Sequence, residues 1–234
     1  SAWPSIESLP PHLRFEVLLH AGLWGNRADL SNITVTAQAH DGLSTQTERH
    51  LILIDHTEQL RELLSRGARR VAFICDNVGA DSLFDLALAD FLLRVGWASA
   101  IDLHLKDRPF FVSDAMPDDI RLVVAQIADG GPGLSELGNR LQAAESTGAL
   151  RLLTDPFWSR SLAFHDVPPS VAEELQQAQL TILKGDVNYR RLLDDRHWPP
   201  ETPIEAITAY FPKPFLISRT LKGEIIAGLQ PGQA

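Results

Sequence analysis

Cysteine is almost absent from this chain, with Cys75 the single one among 234 residues. One thiol excludes internal disulfides and thiolate metal clusters and suits a reducing compartment, so a cytoplasmic location is expected. Long hydrophobic runs are missing as well. No apolar stretch approaches the roughly 20 residues of a membrane span, and no signal peptide stands at the start. The chain opens on Ser1-Ala2 without an initiator methionine, so a piece of a longer protein is expected. Positive charge is in deficit. Thirty acids against 21 Lys and Arg leave a net charge of −9 at pH 7. Such a chain has no bulk attraction for nucleic acid or an anionic membrane, and neither is an expected partner. An anionic substrate would need local positive charge, from a metal or from clustered Lys and Arg.

Several chemical signatures are missing too. The eight histidines show no paired zinc spacing, and no Gly-x-Ser-x-Gly elbow occurs, which excludes the common zinc and serine hydrolases. Gly130-Gly-Pro-Gly133 lacks the Gly-Lys-Ser/Thr ending of a phosphate loop and reads as a turn between helices. Ile54-Asp55-His56-Thr57 has no second acid two residues on, so Asp55 reads as a helix cap. Cys75 falls at the end of an apolar run and reads as a core thiol.

With 44% hydrophobic and 22% charged residues, the chain has the composition of one large globular domain. Helical spacing of apolar residues covers 11–24, after a proline entry. A loop is expected over 24–31 and a polar, flexible connection over 37–50. From 51 onwards short apolar runs alternate with amphipathic stretches. Strands are expected at 71–75, 100–105, 151–153, 180–183 and 214–218, with a short strand or buried turn at 51–54. Phe110-Phe-Val112 reads as an extended run into Ser113-Asp114. Helices are expected over 57–65, 81–94, 117–128, 134–145 and 169–178. This alternation predicts an α/β fold, a three-layer α/β/α arrangement with a doubly wound, mainly parallel sheet over 51–234. A partial helical segment is expected over 1–36.

Four apolar runs end in chemistry: Asp76-Asn77, Ser113-Asp114, Lys184-Gly-Asp186 and Arg219-Thr-Leu-Lys222. In an open parallel sheet the carboxyl ends of the strands share one edge, where ligands bind. Three carboxylates and an amide would then meet two or more cations. Oxygen donors of this kind suit hard divalent ions, and the cations beside them suit a phosphate ester. The competing reading makes these residues helix caps and surface ion pairs. Asp76 and Asn77 are consecutive, so both can reach one ion only where the backbone turns, as Gly79 allows. Arg190 offers a planar fork matched to phosphate, whereas Lys222 acts as a point charge.

Asp76-Asn-Val-Gly-Ala-Asp81, Phe111-Val-Ser-Asp-Ala115, Lys184-Gly-Asp-Val-Asn-Tyr-Arg190 and Arg219-Thr-Leu-Lys222 closely resemble, in that order, motifs of the damage-control phosphatases. These are metal-dependent sugar-phosphate phosphatases once described as acidic-residue methyltransferases. The Arg-Thr-x-Lys ending resembles the subfamily acting on fructose phosphates. The resemblance covers residue 11 to the end, and residues 24–31 look like the loop ahead of that family's catalytic core. It implies that Asp76, Asn77 and Asp114 hold a divalent metal (Mn²⁺, Co²⁺, Ni²⁺ or Mg²⁺). Lys222 would lie on the phosphate. Asp186, Asn188, Tyr189, Arg190 and Arg219 would line the pocket of a small phosphorylated metabolite, fructose-1-phosphate or fructose-6-phosphate in type. Asp81 would line it too, where the family pattern more often has Glu. The family also carries a helical segment ahead of this core, of which only the last helix is expected here. Two alternatives stay open at this level, a methyltransferase using S-adenosylmethionine and a non-catalytic sugar-phosphate binder. Whether water or Asp76 itself attacks the phosphorus is likewise open, as is the oligomeric state.

Overall fold

The computed structural model describes residues 3–24, 49–212 and 214–233. The expected loop at 24–31 and the connection at 37–50 fall almost wholly outside them. In chain order the described elements are α1 (Trp3–Glu7), α2 (Pro11–Leu23), α3 (Thr57–Ser65), β1 (Val71–Ile74), α4 (Ala80–Arg94), β2 (Ile101–Leu105), α5 (Pro117–Ala128), α6 (Leu134–Thr147), β3 (Leu150–Thr154), α7 (Pro169–Gln176), β4 (Leu180–Lys184), α8 (Gly185–Leu192), α9 (Ile204–Ile207) and β5 (Phe215–Ser218). The strands form one sheet in the order β3-β2-β1-β4-β5. Every pairing in it is parallel.

This is a doubly wound α/β sheet, as the alternation predicts. The short apolar runs explain it. Val71–Ile74 and Leu180–Lys184 are buried along their whole length, as strands covered on both faces must be. On one face Val71, Phe73, Leu103 and Ile182 pack against α1, α2, α4, α5 and α6. On the other, Ala72, Ile74 and Leu183 meet Phe157, Trp158 and Phe164, together with α7 and α8. Helix α4 is the central pillar, with ten of its residues buried, Asp85 and Asp90 among them. The N-terminal helix α2 belongs to this core, because Phe15 packs against both Phe91 and Trp97. Among the described residues no helix is long and apolar enough to cross a membrane.

Three local expectations differ from what is observed. Phe110–Val112 is a turn, not an extended run, and Phe111 sits at φ +52°. Its apolar side chains find no partner strand, and Val112 is fully exposed. Residues 51–54 form turns and bends whose Leu51 and Leu53 face solvent, because no strand lies beside them to cover an apolar run. Lys184-Gly-Asp186 leads directly into helix α8, so most of that motif is helical.

The opening ends of β1, β2 and β3 are tied by Asp102. Its buried carboxylate takes Arg70 Nη1 at 2.6 Å and a two-point fork from Arg151 at 2.7 Å. Two positions on, His104 has no such relief. It is 1% exposed, and among the described residues neither ring nitrogen has a hydrogen-bond partner. Burial pushes its pKa down to about 4, against the pull of Asp102. The folded chain therefore refuses a proton that the unfolded chain accepts below about pH 6.5, so stability falls from there to about pH 4. A shift of that size corresponds to about 3 kcal/mol. His104→Leu is expected to flatten this acid limb by about one proton, read from urea unfolding at pH 7 and at pH 4.5. An unchanged slope would place the ring in a wetter environment.

Candidate active site

The strand order changes direction between β1 and β4, and the crevice outside their carboxyl ends is where such sheets place a ligand. Asp76 leaves β1 there, and Gly185 leaves β4 beside it. The two are in close contact: a Cβ on Gly185 would lie 1.9 Å from Asp76 Oδ2. Gly185 also sits at φ +82°, a conformation side chains rarely adopt. Glycine is required on both counts.

The chain turns immediately after Asp76, at Gly79 with φ +114°. Asn77 forms an antiparallel bridge with Asp114. The bridge is closed by Val78 N donating to Ser113 O at 2.7 Å and Ala115 N donating to Asp76 O at 2.9 Å. Thus Asp114 arrives on a loop that folds back, and not at the end of a strand. Asn77 Nδ2 donates to Asp76 Oδ2 at 3.0 Å, while its Oδ1 accepts Ser113 Oγ at 2.7 Å. Asp76, Asn77 and Asp114 are thus brought together.

Electrostatics mark this group. Burial, and next the nearby Asp114 carboxylate, push the Asp76 pKa up to about 6, against the pull of Lys106 and Lys222. Asp114 is also raised by burial, against Lys106 and Arg191. Its Oδ2 is buried with no hydrogen-bond partner among the described residues. A half-buried and a buried carboxylate beside an amide oxygen, the buried one unsatisfied, fit a hard divalent cation. Among the described residues no three His, Cys, Asp or Glu gather closely enough to hold a metal without the amide.

A small cleft at this point is lined by Asp76, Asp81, Asp186, Arg219, Lys222 and the backbone around Gly185. Asp81 enters from the first turn of α4. Asp186 opens α8 and pairs with Arg219 at 3.2 Å. The Arg219 guanidinium lies 3.9 Å over the Tyr189 ring and donates to Ile225 O at 3.1 Å. Tyr189 is itself buried, and its hydroxyl accepts the Ala227 N–H at 2.9 Å. Tyr189 therefore braces the segment that carries Lys222, away from the cleft wall. Asn188 is a second brace. Fully buried, it donates from Nδ2 to the carbonyls of Ile74, Cys75 and Lys184, joining β1 to β4. Arg190 does not reach the cleft. It is exposed and forks onto Asp195 at 2.6 and 2.9 Å.

Lys184 lines the back of the cleft, but its ammonium is already bonded. Its ammonium is buried against Asp85 at 2.8 Å, donates to Gly22 O at 3.0 Å and lies 3.4 Å from Ser218 Oγ. That knot ties α2, α4, β4 and β5 together behind the cleft. Asp85, Lys106 and Arg191 are charged neighbours of the site that motif spacing does not single out. Composition offers a signal for one of them. The chain has only four lysines, and Lys106, Lys184 and Lys222 all lie at the carboxyl edge of the sheet.

The family profile of the damage-control phosphatase ARMT1-like domain matches residues 4–234. Similar curated proteins are the damage-control phosphatases ARMT1 of Mus musculus, 35% identical over 94% of this chain and 54% of that protein, and of Homo sapiens, 34% identical over 94% and 53%. That of Danio rerio is 33% identical over 94% and 53%. This chain spans about half the length of these relatives. A crystal structure of a DUF89 family protein from Pyrococcus horikoshii has the same fold, with a TM-score of 0.51 and 19% identity over 94% of this chain and 71% of that one.

The close approach at Gly185 yields a direct test. Gly185→Ala is expected to drive Asp76 out of position and to lower the melting temperature by several degrees. Calorimetric melting reads the effect. A Gly185→Ala chain that melts at the parent temperature would show that Asp76 is free to move away from this contact.

Proposed function

The chain belongs to the damage-control phosphatase ARMT1-like domain family, and from that premise we propose that it hydrolyses phosphomonoesters of small sugars with the help of a divalent metal. One observation supports this most directly. Two mutually repelling carboxylates, the half-buried Asp76 and the buried Asp114, stand beside Asn77 at the strand-order switch point, and Asp76 shares a cleft with the cations of Arg219 and Lys222. An acidic group that attracts a metal and a basic wall that attracts a phosphate are the two halves of a phosphoryl-transfer site.

In this proposal Asp76, Asn77 and Asp114 hold the cation through oxygen atoms. When bound, Mn²⁺, Co²⁺, Ni²⁺ or Mg²⁺ supplies Lewis acidity that neutralises phosphoryl oxygens and activates water. The remaining work falls to the chain's own groups. Lys222 is exposed at the cleft mouth and draws the anionic ester in, which an overall acidic chain does not otherwise do. Arg219 is held flat on Tyr189 and by Ile225 O, so little of its freedom is lost on meeting an anion. Asp81 and Asp186 offer acceptors for sugar hydroxyls, which a phosphate of inorganic size would leave unused. A fructose phosphate has hydroxyls enough to meet both. Asn188 and Tyr189 act through the backbone they hold, and Gly185 by leaving room.

Methyl transfer fits this geometry poorly. After β1 the chain presents Asp76-Asn77 and then one turn glycine, Gly79, where a dinucleotide-type or methyl-donor site needs a glycine-rich approach to its ligand.

Phosphate release from a panel of hexose and pentose phosphates tests the proposal, with each metal in turn and with chelator. Metal-dependent release is expected, falling about 100-fold or more in Asp76→Ala and in Asp114→Asn. Release that survives Asp76→Ala would move the chemistry elsewhere. Heat of binding from S-adenosylmethionine in the absence of metal would favour the methyltransferase.

A further inference from the structure

Lys106 is a buried cation whose ammonium has no hydrogen-bond acceptor among the described residues. It follows β2 directly and is 3% exposed. Its nearest acid is Asp114, with Oδ1 4.0 Å from Nζ, too far for a hydrogen bond. Among the described residues Nζ has no acceptor, whereas Lys184, equally buried, has three polar neighbours within 3.4 Å. An ammonium largely withdrawn from water with unmade bonds is costly to hold. The backbone at Lys106 is pinned to the site. Lys106 N–H donates to Ala115 O at 3.0 Å, and Ala115 N–H donates to Asp76 O at 2.9 Å, so Lys106, Asp114 and Asp76 share one rigid frame.

The unmet groups nearby point the same way. Arg191, whose charge acts on both Lys106 and Asp114, is held by Leu162 O at 2.7 Å and Phe157 O at 3.1 Å. Its Nη1 is nevertheless buried without a partner among the described residues. Two cations with unmet donors thus stand near Asp114, Lys106 facing it across 4.0 Å and Arg191 acting on it through its charge. What they lack is a compact anion with several acceptor oxygens. We infer that Lys106 is a phosphoryl-binding residue of the site, its ammonium donating to a phosphoryl oxygen of the bound ester from behind Asp114. This rests on the phosphatase proposed above and extends it. The ester would be gripped between Lys106 on the inner side and Lys222 and Arg219 on the outer side.

The low lysine count makes the test direct. Protein labelled at the lysine Cε and Nζ positions should give four side-chain NMR signals, with Lys106 assigned from Lys106→Arg. Inorganic phosphate is titrated into the Mg²⁺-loaded chain. The Lys106 signal is expected to shift with a saturating curve alongside that of Lys222. By calorimetry, Lys106→Met is expected to bind phosphate about 10-fold to 100-fold more weakly, the loss of one charge-assisted bond. Its affinity for Mg²⁺ alone should stay within about threefold of the parent chain or tighten, because a positive neighbour of Asp114 has gone. The NMR arm uses unaltered protein, so it answers even if the Met variant does not fold. A Lys106 signal that stays fixed while that of Lys222 shifts would overturn the inference and leave the phosphatase standing. So would a Lys106→Met chain that loses Mg²⁺ together with phosphate, which would make Lys106 a positioning residue for Asp114. If no lysine signal moves with any metal, the phosphatase proposal and this inference fall together.

Discussion

The contact between Gly185 and Asp76 is the constraint on which the site depends. Parallel pairing of Val71–Ile74 with Leu180–Lys184 in fixed register brings two chain segments out of the sheet side by side. There is room for the Asp76 carboxylate only because residue 185 has no side chain and can take a positive φ. From that contact the rest follows in order. Asp76 is held over the mouth of the crevice, Asn77 must turn, and the turn captures the returning loop that delivers Asp114. The first helical turn of α8 then presents Asp186 to Arg219.

Charge burial is distributed unequally around this centre. Asp102 and Lys184 are buried and fully bonded, and they behave as parts of the frame. Asp76, half-buried, and Asp114, Lys106 and the Arg191 fork, all buried, are left with unmet bonds or shifted affinities. A folded chain tolerates such groups when the surrounding structure is strong enough to hold them. Here the hold comes from a sheet covered on both faces, from Asn188 bolting β1 to β4, and from the Lys184–Asp85 knot. The incompletely bonded charges gather at the carboxyl edge, where a metal and an anion would complete them. The same low dielectric that penalises unpaired charges strengthens each bond they make.

Much of the fold was legible in the linear chain because hydrophobic periodicity is a local property. Runs such as Val71–Ile74 are too short for helices and too apolar for exposed strands, and the stretches between them repeat at helical spacing. Hence the five strands and the longer helices lie within a few residues of where the pattern puts them. Phe110–Val112 misled for an instructive reason. Apolar composition without a neighbouring strand to accept it made a turn, and Phe111 and Val112 were left at the surface.

The sequence by itself determined which residue types stand at the strand ends and in what order, because strand length and turn chemistry are written residue by residue. That places Asp76, Asn77, Asp186 and Arg219 at one edge of any parallel sheet. Only the tertiary structure decided what each side chain does there. Arg190 and Arg219 are both strand-edge guanidiniums in sequence, yet one folds outward onto Asp195 while the other lies on Tyr189 in the cleft. Lys184 and Lys106 both close apolar strands, yet one is bonded into the frame and the other faces Asp114 across 4.0 Å. Such differences depend on helix packing and on contacts between residues far apart in the chain. No local pattern encodes them, because burial and bonding partners exist only once the layers have closed.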